Sequence, residues 1–136
     1  MEKQLSTVFE GETYQILMDY DSSMMILHWF DSTNDWTDED FKQENLNIVR
    51  VVAHYKPTYL LSLSQEFRHI ITPDEQLWLV DNVFKPHYEN GVRKMAILMS
   101  RDFVPQVSLE QLIDETSMIP NGIFTTEEEA RTWLLS

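Results

Sequence analysis

Residues 13–18, Thr-Tyr-Gln-Ile-Leu-Met, alternate polar and apolar, whereas 24–30, Met-Met-Ile-Leu-His-Trp-Phe, are apolar on both faces. With the polar stretch 19–23 between them, they predict an antiparallel hairpin that leads into a buried strand. After Asp31 to Trp36 the period changes. Phe41, Ile48, Val49, Val52 and Ala53 recur at helical spacing, behind a capping-box start in which Asp40 follows Thr37 by three residues. Acidic residues in that first turn suit the positive end of the helix dipole, and Pro57 sets a stop near His54 or Tyr55.

Residues 58–64 predict a second buried strand, followed by a loop from Gln65 to Ile71. Thr72-Pro73-Asp74-Glu75 is the clearest local signal in the chain, with Thr as N-cap, Pro at the first helical position and Glu closing the box. The helix it opens carries Leu77, Trp78, Val80, Phe84 and Tyr88, with an irregularity expected at Pro86 and a left-handed cap at Asn90-Gly91. Residues 92–99 read as a strand. Ser108 and Gln111 open a third helix to about Thr116, Pro120-Asn121-Gly122 turns into a short strand at Ile123 and Phe124, and Thr125 with Glu128 caps a terminal helix holding Ala130, Trp133 and Leu134 inward.

The resulting order is β-β-α-β-α-β-α-β-α. It predicts an α/β fold with a mixed five-stranded sheet, mostly parallel with an antiparallel first strand. No linker or low-complexity tract divides the chain, so residues 1–136 read as a single domain.

Charge narrows the partners. The 136 residues carry a formal net charge of −13, spread along the chain rather than gathered in a tail. Such a surface repels nucleic acid and anionic membranes, and no apolar run reaches the roughly 20 residues of a membrane span. With 43% apolar residues the chain can still bury a proper core. The absence of cysteine rules out disulfides, thiolate metal ligands and a cysteine nucleophile. With no signal peptide visible, it fits a cytoplasmic address.

The three glycines cannot build a Walker loop or a dinucleotide fingerprint, and neither a Gly-x-Ser-x-Gly elbow nor a His-Glu-x-x-His helix occurs. Neither an enzyme activity nor a cofactor is expected. The four histidines are scattered, no pair having metal-ligand spacing. His54 and His87 read as neighbours of helix C-termini, and His28 as a hydrogen-bonded, largely buried side chain. The acidic stretch from Asp31 to Asp40 lacks the order and glycine of a calcium loop and reads as a solvated helix start. The edge where parallel strands give way to helices is more interesting, because α/β folds hold ligands there. It gathers Arg68, His69 and Thr72 from one loop, Arg101 from the next, and Trp36. These could hold an anion or an acidic partner segment, although pairing of Arg68 and Arg101 with nearby carboxylates is the simpler account.

From the 14–17 strand to the 127–134 helix, the order and spacing of elements resemble the STAS-like family. This is the fold of anti-sigma factor antagonists and of sulfate-transporter cytoplasmic domains, and more narrowly of bacterial proteins linked to CRAL-TRIO lipid-binding domains. The resemblance implies a sheet with one face less covered by helices, which a partner can close. It also places Ser62-Leu63-Ser64 at the family's Asp-Leu-Ser-like strand end, and Thr72 at the phosphoacceptor position. The acidic residue before that position and the glycine after it are missing, and the N-cap role already accounts for Thr72. The leading expectation is a non-enzymatic regulatory module that associates with itself as a homodimer or with a regulatory protein. The alternative is a carrier of a lipid-like or anionic small ligand at the C-terminal edge of the sheet, among Phe30, Trp36, Trp78 and Phe103 with Arg68 or Arg101 on the head group. A hydrolase or isomerase using His69 with Glu66 or Asp102 ranks last.

Overall fold

In a computed structural model of the chain, residues 5–100 and 119–136 are described. They build a mixed six-stranded sheet in sequential order: β1 (Leu5–Glu10), β2 (Tyr14–Asp19), β3 (Met24–Trp29), β4 (Tyr59–Leu63), β5 (Lys94–Leu98) and β6 (Asn121–Phe124). β1, β2 and β3 pair antiparallel, and β3 to β6 run parallel. The sheet therefore has one strand more than the pattern predicts. β1 escapes notice because its register against β2 shifts between Thr7 and Phe9, so that Leu5, Val8 and Phe9 do not alternate. It is also an edge strand with little burial. The antiparallel start thus comprises two strands ahead of β3, not one.

Helix α1 (Asp38–Tyr55) begins with the expected box: Asp40 N–H donates to the Thr37 hydroxyl, and Thr37 N–H donates to the Asp40 carboxylate. It ends at Lys56, whose φ of 49° is left-handed. Ile48 and Val52 are fully buried and pack against Met25, Leu27, Trp29 and Leu60, on one face of the sheet. The opposite face is closed by α4 (Glu127–Leu134), whose Ala130 and Leu134 meet Met24, Ile26, Leu61 and Ala96. Its cap is Thr126, which accepts from Glu129 N–H, one residue beyond the expected Thr125. Both Thr-x-x-Glu pairs satisfy the local rule, and burial of Ala130 and Leu134 is compatible with the later start. The third helix expected near 108–116 lies outside the described residues.

The segment after β4 departs most from regular geometry. Helix α2 (Pro73–Leu79) widens into a π-turn over Val80–Phe84 and continues as α3 (Lys85–Glu89). Pro86 has no N–H to offer, and the turn before it loosens to bond Lys85 N–H to Val80 O. The Asn82 side-chain amide donates to Trp78 O at the change of register. The extra residue moves the buried stripe. Glu75, Leu79, Val83 and His87 point inward at a spacing of four, while Leu77 and Tyr88 are exposed. Gly91, with φ of 107°, then takes the left-handed turn that the sequence reserves for it.

Because α4 holds its face through few side chains, Leu134→Ala is expected to cost about 2 to 5 kcal/mol. Urea denaturation followed by circular dichroism measures this directly. A loss below 1 kcal/mol would mean that α4 contributes little to that core.

Candidate functional site

A cavity of about 130 Å³ lies between the sheet and the helices on the α1 face. Its floor follows from strand register. Leu27, Ser62 and Ile97 stand side by side on β3, β4 and β5, next to Leu60 and Met95, with Trp29 toward the C-terminal end of β3. Phe41, Asn45 and Ile48 of α1 form one wall, and Leu79, Val83, Phe84 and His87 form the other. The π-turn brings Val83 and His87 onto this wall. An unbroken α-helix at 3.6 residues per turn would carry a stripe of spacing four round its axis by roughly 40° at each step, about 120° over the twelve residues from Glu75 to His87.

The lining is apolar apart from a few groups. Ser62 Oγ accepts from the Trp29 indole N–H at 2.9 Å and shares a hydrogen bond of 2.8 Å with Ser64 Oγ. The Asn45 amide donates to Phe41 O at 2.8 Å. His87 differs from both: it is 2% exposed, and its Nδ1 is buried without a hydrogen-bond partner. Burial pushes the imidazole pKa down from the ordinary 6.5 to about 4, so the ring is neutral at physiological pH. Among the described residues no carboxylate lines the cavity.

The residues expected at this edge are only partly assembled. Trp36 and His69 do come together, with ring centroids 5.9 Å apart, in an aromatic cluster with Trp29, Phe41 and Phe67. Within it His69 Nε2 contacts Glu75 Oε1 at 3.0 Å. The same oxygen accepts from Thr72 N–H, and the Thr72 hydroxyl accepts from Glu75 N–H. Thr72 thus serves as N-cap, and His69 fastens the loop to the start of α2. Arg68 is anchored by its backbone N–H on the Thr33 hydroxyl, but its guanidinium folds back onto Gln65 O, Phe67 O and the Glu66 carboxylate. It does not line the cavity. Phe30 and Trp78, expected around a ligand, are also absent from the lining. Arg101, Asp102 and Phe103 lie outside the described residues.

Trp36 also borders a groove of about 530 Å³ lined by Glu12, Asp35, Asp40 and Glu44. Tyr14 stands behind it, its hydroxyl bonded to Glu44 and Asn47 and its pKa raised chiefly by burial. At the mouth of α1, the Lys42 ammonium 3.1 Å from Asp38 lowers that carboxyl's pKa. His28, expected to be hydrogen bonded, pairs its Nδ1 with the Gln15 amide.

The sequence reading missed His87 as part of a site. A trace was there, since His87 stands four residues after Val83 and three after Phe84, on the inner stripe once Pro86 is allowed to loosen the helix. Among the described residues there is no cluster of three His, Asp or Glu able to hold a metal ion, and no helix long and apolar enough to cross a membrane. Compared with protein-family models, curated proteins and solved structures, the chain matches none.

The His87 environment predicts a pH dependence with a definite sign. Above about pH 6.5 the imidazole is neutral in both folded and unfolded chains and contributes no difference. As pH falls from about 6.5 to 4, the unfolded chain takes up a proton that the fold refuses, and stability drops by about 3 kcal/mol. Comparing wild type with His87→Leu by denaturant titration across this window isolates the effect. Parallel curves for the two proteins would show that His87 is not held neutral.

Proposed function

We propose that this α/β domain binds a small, uncharged, largely apolar molecule between the sheet and the α1, α2 and α3 helices. The observation that carries this reading is the apolar cavity itself. Protein interiors otherwise close-pack, and sites for small molecules are concave, mostly apolar and provided with a few polar groups. Arg68, turned onto its own loop, gives no support to a charged head group in this cavity.

The chemistry of the described lining supports binding more than turnover. An imidazole acting as base needs an orienting partner and a nucleophile or water in reach. Among the described residues His87 has no carboxylate beside it in the cavity, and the Ser62 hydroxyl is engaged by Trp29 and Ser64.

A second reading, a STAS-like regulatory module acting through association, rests on the free edge of β1. Among the described residues that strand has a neighbour on one side only, and Leu5 is 45% exposed. Strand addition to this edge, by a second copy or by a regulatory protein, would supply the missing partner. The apolar sequence of β3, by contrast, gives it little help, because α1 and α4 cover the two faces within one chain.

Two measurements test these readings. Toluene, a neutral ring-sized probe, is expected to raise the melting temperature and perturb Trp29 fluorescence, and Val83→Phe, which fills the cavity, is expected to abolish both effects while circular dichroism stays native. Unchanged probe binding in Val83→Phe would remove the cavity from consideration. Sedimentation over a hundredfold concentration range tests self-association, and a constant monomer mass would exclude the homodimer.

A further inference from the structure

We infer that the molecule held in the cavity is an uncharged, ring-sized compound carrying a hydroxyl group that hydrogen-bonds to His87. The inference rests on the cavity-binding reading and adds the chemical class of the ligand.

Size comes first. The cavity, at about 130 Å³, is close to the roughly 150 Å³ at which an apolar protein cavity accepts a benzene ring. The floor of Leu27, Leu60 and Ile97 and the facing Val83 and Phe84 offer dispersion contacts to such a ring and nothing that recognises charge. A carboxylate or ammonium moved there would lose its hydration without finding a counter-ion among the described lining residues.

Polarity comes next. A buried polar group without a partner costs on the order of 1 to 3 kcal/mol, and nearly all such groups are satisfied in folded proteins. Most of the polar groups around this cavity already have partners: the Trp29 indole binds Ser62, Ser62 binds Ser64, and the Asn45 amide binds a helix carbonyl. His87 is the exception, 2% exposed and with Nδ1 unpartnered, on the wall that the π-turn has moved inward. A neutral imidazole has one donor and one acceptor nitrogen. A hydroxyl can donate or accept, so it satisfies the ring in either tautomer, whereas an ether or ketone can only accept. The depressed pKa keeps the ring in this neutral form across the physiological range.

The test uses the full chain and three probes of one size: phenol, toluene and benzoate. Affinities are read from melting-temperature shifts and from NMR titration of protein labelled with ¹⁵N in the histidine rings. Phenol is expected to bind and to move the His87 ring-nitrogen resonances, toluene to bind without moving them, and benzoate not to bind at pH 7. In His87→Leu the preference for phenol over toluene is expected to fall about tenfold, the scale of one buried hydrogen bond. If toluene binds, but phenol leaves the His87 nitrogens unmoved or keeps its full preference in His87→Leu, the hydroxyl inference is overturned while the cavity reading stands. Benzoate binding as tightly as phenol overturns the uncharged class. If neither phenol nor toluene binds, the cavity reading fails, and this inference with it. Should His87→Leu not fold, the ring-nitrogen shifts in the wild-type protein decide.

Discussion

The structure depends on β3 being buried on both faces by one chain. Six residues, Met24 to Trp29, feed two cores at once: Met25, Leu27 and Trp29 meet α1, while Met24 and Ile26 meet α4. A one-residue slip would exchange the two sets and put Trp29 against the short helix α4. Two polar contacts pin the register. The Trp29 indole N–H reaches Ser62 on β4, and on the other face the Gln15 amide meets His28 from β2. The Gln15 and His28 contact joins directly paired positions and the Trp29 and Ser62 contact a diagonal pair on one face, so β3 is fixed to each neighbour by a side-chain hydrogen bond as well as by the ladder.

Once β3 is fixed, the helices on the α1 side inherit a floor with a shape of its own. Trp29 stands at one end, held edge-on to Trp36 and Phe67, and the small Ser62 sits beside it. Large and small neighbours on adjacent strands leave a hollow that helices can either fill or roof. The Pro86 turn favours roofing: its extra residue keeps Val83 and His87 on one line and holds the helix at the wall. The part-buried contact of His69 with Glu75 anchors the other end of the same helix, where Thr72 closes the cap. One end of the segment is fastened by a titratable pair, while the other brings an unpartnered imidazole to the cavity.

Much of this frame was legible in the residues. Period two in β2, the unbroken apolar run of β3, and the Thr37 and Thr72 capping boxes are local signals, and local physics decided them. β1 was not legible because a bulge at the edge of a sheet destroys the period by which strands are read. The α4 cap lies one residue later than expected because Thr125 and Thr126 offer the same Thr-x-x-Glu spacing, which local sequence cannot tell apart. The site was the least legible part. Arg68, His69 and Trp36 were placed in one neighbourhood by strand topology, but topology does not fix side-chain direction, and Arg68 turned onto its own loop. His87 was hidden because two of the four buried positions on its helix, Glu75 and His87, are titratable residues that a hydrophobic pattern skips.

The contrast between those two residues shows why they do different work. Glu75 is as deeply buried as any core residue, yet its Oε1 meets two donors, from His69 and Thr72, and its desolvation is offset within the loop it secures. His87 is buried to the same degree with Nδ1 unsatisfied, among aliphatic neighbours that cannot compensate it. A structural histidine would be expected to find a carbonyl or carboxylate, as His69 does. Leaving this one without a partner beside apolar volume costs the fold on the order of 1 to 3 kcal/mol, a cost that an apolar side chain on the same stripe would not carry. The arrangement makes physical sense when the missing partner arrives with a ligand, which fills the volume and satisfies the ring in a single event.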